Sequence, residues 1–340
     1  MKAVEKSAAE TRATGGIEVE VRDDLGDDEL TRIMDLLRIA YPAVETGIWD
    51  WQYGRRSLGT PRVALARADG KIVGVQPSIR QDVLWSGRSA TGYQLCHVVT
   101  HPEYRRRGIF TKLVSSFAER AEREGAAYVY TFPNRLSFPG FQRTRSWDHP
   151  FSLPLWVRLA LGSGRSSRAT RSLGVPQPVE HFDPAVDVLA RETAGRFPAG
   201  RVRDHRYLEW RYLEHPERPY VVLALRDGSL WRGVVAGRLV DWLGVRSGAV
   251  VEMLGDPSSL DRLLAALEAE LARRGARTMG CLMPGGRAES QVLERRGYRV
   301  LPAWMLRKEF YFVLRASGGV PPSLRDMSAW WLTWGDNDIV

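Results

Sequence analysis

The feature that most constrains this chain is that its two halves repeat each other, a signal to be settled before any other. Trp51 and Tyr53 are echoed by Trp210 and Tyr212. Val63, Leu65, Asp69 and Gly70 are answered by Val221, Leu223, Asp227 and Gly228, and each run reads as a strand entering an Asp-Gly turn and a second strand. Phe110, Leu113, Val114, Phe117 and Ala121 share one helix face that ends at Gly125. Leu260, Leu263, Leu264, Leu267 and Leu271 repeat that face ahead of Gly275. Strands at 128–132 and 278–282 follow, then short helices closed by Arg145 to Trp147 and by Arg296 to Tyr298. Two similar α/β units are implied, and 340 residues are enough for both.

Between the copies, residues 161–174 are basic and rich in Gly and Ser, which reads as a linker. The expected division is a disordered tail over 1–16, a first unit over 17–160, a linker over 161–178, a second unit over 179–315 and a tail over 316–340. Residues 204–214 read as a helix leading into the second copy. Trp330, Trp331 and Trp334 predict a tail packed on the body, because three exposed indoles invite aggregation.

Composition narrows the classes. At 44% hydrophobic the chain is not wholly disordered. The longest stretch without a charged residue, 89–102, is too short and too polar to span a bilayer, so no membrane partner is expected. Residues 1–16 lack the apolar block of a secretory signal. Cys96 and Cys281 lie far apart with no ligand spacing around either, which argues against zinc and a disulfide framework and suits a reducing cytoplasm. The net charge is +9, and only five of the 49 basic residues are lysine. Such an arginine bias reflects either a GC-rich genome or an anionic partner.

The copies differ in one place. From Gly74 to Gly125 the first is longer than the matching span from Gly233 to Gly275, and most of the excess lies just ahead of its helix. There the chain reads as a strand over 93–100, then Pro102, then a basic loop with Arg105, Arg106, Arg107 and Gly108, then the amphipathic helix. A tight loop at a helix start offers free backbone N–H groups and the positive end of the dipole, which together favour phosphate. The bland alternative is three arginines facing water.

Val98, Val99, Thr100 and Pro102, then Arg105, Gly108 and Phe110, resemble the signature of the GNAT acyltransferase superfamily: a Val-x-Val-x-Pro strand end and an Arg-x-x-Gly-x-Gly/Ala loop. Asn134, Ser137 and Phe141 match its downstream Asn-x-x-Ala/Ser-x-x-x-Tyr pattern. The departures are Thr100 for Val, Phe110 for a small residue and Phe141 for Tyr. The resemblance covers most of 17–150, and 205–315 in degenerate form, as in tandem-GNAT proteins. It implies two mostly antiparallel mixed sheets flanked by helices (α/β, of the α+β mixed-sheet kind), acyl-coenzyme A such as acetyl-CoA as co-substrate, and no metal. It further implies pantetheine against the backbone of Val98, Val99 and Thr100. The pyrophosphate would lie on Arg105, Arg106, Arg107, Gly108, Ile109, Phe110 and Thr111, with Asn134, Ser137 and Phe141 beside the thioester arm.

Phe141 stands where relatives place a tyrosine that protonates the leaving thiolate, so no general acid is assigned. His97 is the candidate base, against the reading that it points into the opposite core. Gln94 cannot take a proton, and Cys96 reads as a small buried residue. Tyr41, Trp49, Trp51 and Tyr53 fall where relatives build the acceptor groove, half of it core, and Glu45 and Asp50 are candidate anchors for a cationic amine. The expected partner is a small-molecule or saccharide amine rather than nucleic acid. Two other readings stand beside this one: a Fem-like transferase using aminoacyl-tRNA, and a coenzyme A-binding module without chemistry.

Overall fold

The computed structural model describes residues 16–42, 46–54, 62–144, 146–160, 174–217, 219–242, 244–306 and 308–337. The first copy runs β1 (Glu18–Arg22), α1 (Asp27–Ala40), α2 (Thr46–Gln52), β2 (Arg62–Ala68), β3 (Lys71–Trp85), β4 (Arg88–Leu95), β5 (Val99–Thr100), α3 (Ile109–Arg123), β6 (Tyr128–Thr131), α4 (Phe138–Arg143) and β7 (Asp148–Ser152). Then come β8 (Leu155–Leu159), β9 (Gln177–Pro178), α5 (Val186–Ala194), β10 (Ala199–Arg201) and α6 (His205–Leu208). The second copy repeats the order with β11 (Val221–Asp227), β12 (Leu230–Trp242), β13 (Val245–Gly255), α7 (Pro257–Arg273), β14 (Thr278–Leu282), α8 (Ala288–Arg295) and β15 (Arg299–Val300). β16 (Tyr311–Ala316) and β17 (Trp330–Trp331) follow.

Each copy builds a mixed sheet with helices on its faces. One sheet has the order β1-β2-β3-β4-β6-β16-β7, and the other β15-β8-β14-β13-β12-β11-β9. Most neighbours are antiparallel, while β4 with β6 and β13 with β14 are parallel, at the same place in each copy. Asp69 and Gly70, both at positive φ, close the hairpin between β2 and β3 in the left-handed geometry such two-residue turns need.

α3 buries Ile109, Leu113, Val114, Phe117, Ala118 and Ala121 against the first sheet. At about 1.5–3 kcal/mol for each large side chain, that face holds the helix in place. Its height is set by Gly74, where a Cβ would lie 2.7 Å from the Ile109 side chain. Gly233 plays the same part under α7, with Leu263 at 2.8 Å. The glycine therefore fixes how closely the N-terminal part of each helix approaches the sheet.

The copies exchange strands. After β7, the chain crosses to the second sheet within two residues, and β8 pairs with β14 and β15 there. In return β16 fills the gap between β6 and β7 in the first sheet. A boundary at 160 would assign β8 to the first unit by sequence, whereas its backbone hydrogen bonds all belong to the second sheet; the reverse holds for β16. Residues 1–15 and 161–173 lie outside the described residues. Downstream of β16, β17 pairs with β10, which in turn pairs with β3. Trp330, Trp331 and Trp334 are all buried in this segment. Gly200 admits the approach, since a Cβ there would sit 2.7 Å from the Trp331 carbonyl oxygen.

One expectation is corrected, and another is met with a change of helix type. The strand expected over 93–100 is interrupted: Ser78 faces Leu95 but Val75 faces Val99, so the outgoing strand carries one residue more than its partner. That extra residue is a β-bulge, with His97 at φ +47°. The helix expected over 204–214 is α6 followed by a π-helical turn, Glu209–Leu213, capped at its start by Asp204.

Candidate functional site

The basic loop opens α3 as an uncapped helix start. Arg106 and Gly108 both have positive φ, at +64° and +75°, as the loop turns into α3. Among the described residues no side chain caps that turn; the first bond of the helix is Lys112 N–H to the Gly108 carbonyl. The N–H groups of Ile109, Phe110 and Thr111 are thus the orphan donors of a helix start. Space over Gly108 is open, with no atom within 4 Å of a Cβ built there. Arg105, Arg106 and Arg107 are exposed around it, Arg107 lying over the Tyr104 ring. Phe110 fits because Gly140 yields room, a Cβ there falling 2.5 Å from the ring, and it packs edge-on against Phe141.

The second copy closes the same position. Asp256 accepts from the Ser258 and Ser259 N–H groups, at 2.9 and 3.1 Å, and from both hydroxyls. Burial pushes its pKa up, but these bonds outweigh burial and hold the carboxyl below its usual range. A carboxylate occupies the end of α7 where α3 leaves donors open.

The bulge separates β5 from β6. Parallel pairing of β4 with β6 runs from Gly92 to Gln94, and the Thr131 hydroxyl bonds the Leu95 carbonyl at 2.9 Å just beyond it. Val99 faces Val75, and His101 N–H donates to Val73, so alternation turns the backbone of Thr100, and of Val98 on the other side of Val99, away from β3. Asn134 stands at the end of β6. Its side-chain oxygen accepts from the N–H groups of Leu136 and Ser137, and the Ser137 hydroxyl accepts from Asn134 N–H. Those bonds fix the turn into α4 and commit the oxygen of Asn134, leaving its amide nitrogen as the atom for a ligand. Phe141 belongs elsewhere: it is 2% exposed and packed on Phe110 and Trp147, so it lines the core rather than a binding surface.

His97 is half-buried on the bulge, between Tyr41 and Tyr53. The Tyr53 hydroxyl and His97 Nδ1 are hydrogen-bonded at 2.7 Å. The second copy repeats the contact with Tyr212, whose hydroxyl donates to Glu252 at 2.9 Å. Glu252 is fully buried against Arg203, so the second copy closes the position that His97 leaves half-open in the first. Trp49 is not a groove wall. It is buried with Tyr53, Ile79 and Cys96, because α2 turns that face onto the sheet. Trp51 is buried too, stacked on Trp210, and its edge lines an interdomain cleft with Gln94, Arg201 and Asp336. Asp50 sits half-buried on α2 beside Gly54, and Glu45 lies outside the described residues.

Sequence reasoning missed a buried polar network. Gln94 receives a bond from the Gln81 amide at 2.8 Å and donates to the Asp336 carbonyl at 2.8 Å, while the Tyr130 hydroxyl donates to Gln81. Two glutamines on adjacent strands of an otherwise apolar face were the available signal. Among the described residues no group of three or more His, Cys, Asp or Glu side chains is placed to hold a metal ion, and no helix is long and apolar enough to cross a membrane.

The family model for the Acetyltransferase (GNAT) domain matches residues 22–149. This stretch belongs to the GNAT acetyltransferase family. No curated protein matches the sequence. A probable N-acyltransferase from Enterococcus faecalis V583 is similar in structure at 15% identity and TM-score 0.67, over 88% of this chain and 73% of its own. A GCN5-related N-acetyltransferase from Anabaena variabilis matches at 12% identity and TM-score 0.68, over the same shares of the two chains. The Saccharomyces cerevisiae N-myristoyltransferase, solved with myristoyl-CoA bound, matches at 10% identity and TM-score 0.58, over 93% of this chain and 89% of its own. These likenesses extend the GNAT fold across both copies.

Proposed function

We propose that this GNAT protein transfers an acyl group from an acyl-coenzyme A, acetyl-CoA being the first to test, to the amine of a small molecule or saccharide in the cytoplasm. The observation that carries the reading is the contrast between the helix starts: α3 has open N–H donors, a φ-positive glycine and three arginines, while α7 is capped by its own carboxylate. One coenzyme A per chain is expected, on the first copy.

The residues present fit that co-substrate. N–H groups from Arg107 to Thr111 suit a pyrophosphate, with the arginines adding charge. The backbone of Val98 and Thr100 suits the pantetheine amides, as an added strand suits a sheet edge. The thioester supplies the activated acyl group, and the protein's part is to hold it and to manage protons. His97 would take the amine proton at Nε2 if Nδ1 donates to the Tyr53 oxygen, and the 2.7 Å contact suits that arrangement. Phe141 cannot donate a proton, so the leaving thiolate is left to solvent.

The test is release of free thiol from a panel of acyl-coenzymes A with amino sugars, aminoglycosides and diamines as acceptors. The panel includes myristoyl-CoA, the ligand of the yeast neighbour. Acceptor-dependent release with at least one pair supports the reading; coenzyme A binding without turnover across the panel would leave a binding module instead.

A further inference from the structure

A second cavity, of about 720 Å³ including its mouth, opens where β10 ends against β3. Its charges nearly pair off. Arg80 lies 3.5 Å from Asp82, and Arg206 lies 3.1 Å from Asp204. The remaining cation on the wall is Arg201, only 4% exposed, which makes no ion pair among the described residues. Its guanidinium lies over the Tyr207 ring at 4.3 Å and near Trp210 at 5.6 Å, contacts that offset part of its desolvation. Among the described residues its Nη2 has no hydrogen-bond partner, and neither does the hydroxyl of Tyr207, itself 1% exposed.

Both orphans are donors. Burial raises the pKa of Tyr207, so the phenol keeps its proton. The nearby Gln81 amide already donates to Gln94, and its oxygen accepts from Tyr130, so it is committed inward. A buried cation and a buried O–H, both unpaired, ask for an acceptor bearing negative charge; water would satisfy the hydrogen bonds but not the charge. We propose that this cavity is a binding site for a single anionic group, a carboxylate or phosphate of a small molecule, held by Arg201 and Tyr207. The site is distinct from the start of α3, and it stands or falls independently of coenzyme A binding.

The experiment measures thermal shift and calorimetric binding of inorganic phosphate, malonate and succinate to the full chain, with ionic strength matched by chloride. The background is Gly108→Asp, which removes the phosphate-binding start of α3 from the readout. Saturable binding is expected, weakened about tenfold by Tyr207→Phe, which removes one hydrogen bond to a charged group, and lost in Arg201→Gln. Tyr207→Phe removes only an unpartnered hydroxyl, so it carries the test if Arg201→Gln does not fold. Preference for phosphate or for the dicarboxylates identifies the source of the anion. Absence of binding at tens of millimolar would mean water only, and binding unchanged in Tyr207→Phe would mean an adventitious ion only; either overturns the proposal.

Discussion

Trp51 and Trp210 stack with ring centroids 4.5 Å apart and planes 12° from parallel, and each indole N–H donates to the other's backbone carbonyl at 2.9 Å. A contact in which each residue does to its partner what the partner does to it is the mark of a two-fold interface. The two copies therefore meet much as subunits of a symmetric dimer would, and the exchanged strands β8 and β16 make the union permanent. Each sheet is completed by the other copy, so neither unit is expected to fold alone.

That reciprocity predicts matched effects. Trp51→Ala and Trp210→Ala should each destabilise the chain by about 3–5 kcal/mol, the usual cost of truncating a buried indole. The double substitution should cost less than the sum, because each single change already removes the shared stack and both bonds. Urea unfolding of the three variants measures this. A silent substitution at either position would show that the pair does not hold the interface.

Coenzyme A at 100 times its Kd should stabilise the chain by about 2.7 kcal/mol and raise its melting temperature. Gly108→Asp should abolish that shift without unfolding the protein. Open space above the glycine leaves room for the side chain, and an aspartate tolerates positive φ better than most residues. Its charge, however, would face the pyrophosphate at the positive end of α3. Calorimetric titration should give one site per chain; a stoichiometry near two would mean that Asp256 does not exclude the ligand from the second copy.

The repeat, the helix faces and the basic loop were legible because each rests on local chemistry. Leu113 and Leu263 report a helix face through their spacing, and Gly108 reports a turn through its lack of a Cβ. The strand exchange was not legible, because β8 and β16 are short apolar runs that would fit either sheet equally well; which sheet each joins depends on contacts across the whole chain. Trp51 illustrates the same limit. Its aromatic neighbours suggested a groove, yet only the fold reveals that Trp210 occupies its face. His97 was singled out by its side-chain chemistry, whereas its partner Tyr53, distant in sequence, needed the structure.

His97→Gln should lower kcat about 100-fold or more, the scale of a lost general base. Tyr53→Phe should lower kcat by a smaller factor while leaving KM for the acyl-CoA unchanged, as expected of a phenol that acts only by orienting the imidazole through their hydrogen bond. Steady-state kinetics with the acceptor found in the panel separates the two effects. If His97→Gln retains full kcat, the proton goes elsewhere.

Asp256 gives a prediction with a defined sign in pH. Its folded pKa is lowered, so it contributes stability that is fully present above its unfolded value, about 3.9, and is lost as pH falls through the folded value. Asp256→Ala removes the cap from the Ser258 and Ser259 N–H groups and should cost about 1 kcal/mol at neutral pH, typical of a helix cap. Below pH ~4 the wild-type carboxyl begins to take up a proton, and the gap between the two proteins should narrow as pH falls further. Urea unfolding across that range provides the measurement. A gap that stays constant down to the most acidic condition at which both proteins fold would mean that the carboxylate charge neither holds the start of α7 nor excludes phosphate from the second copy.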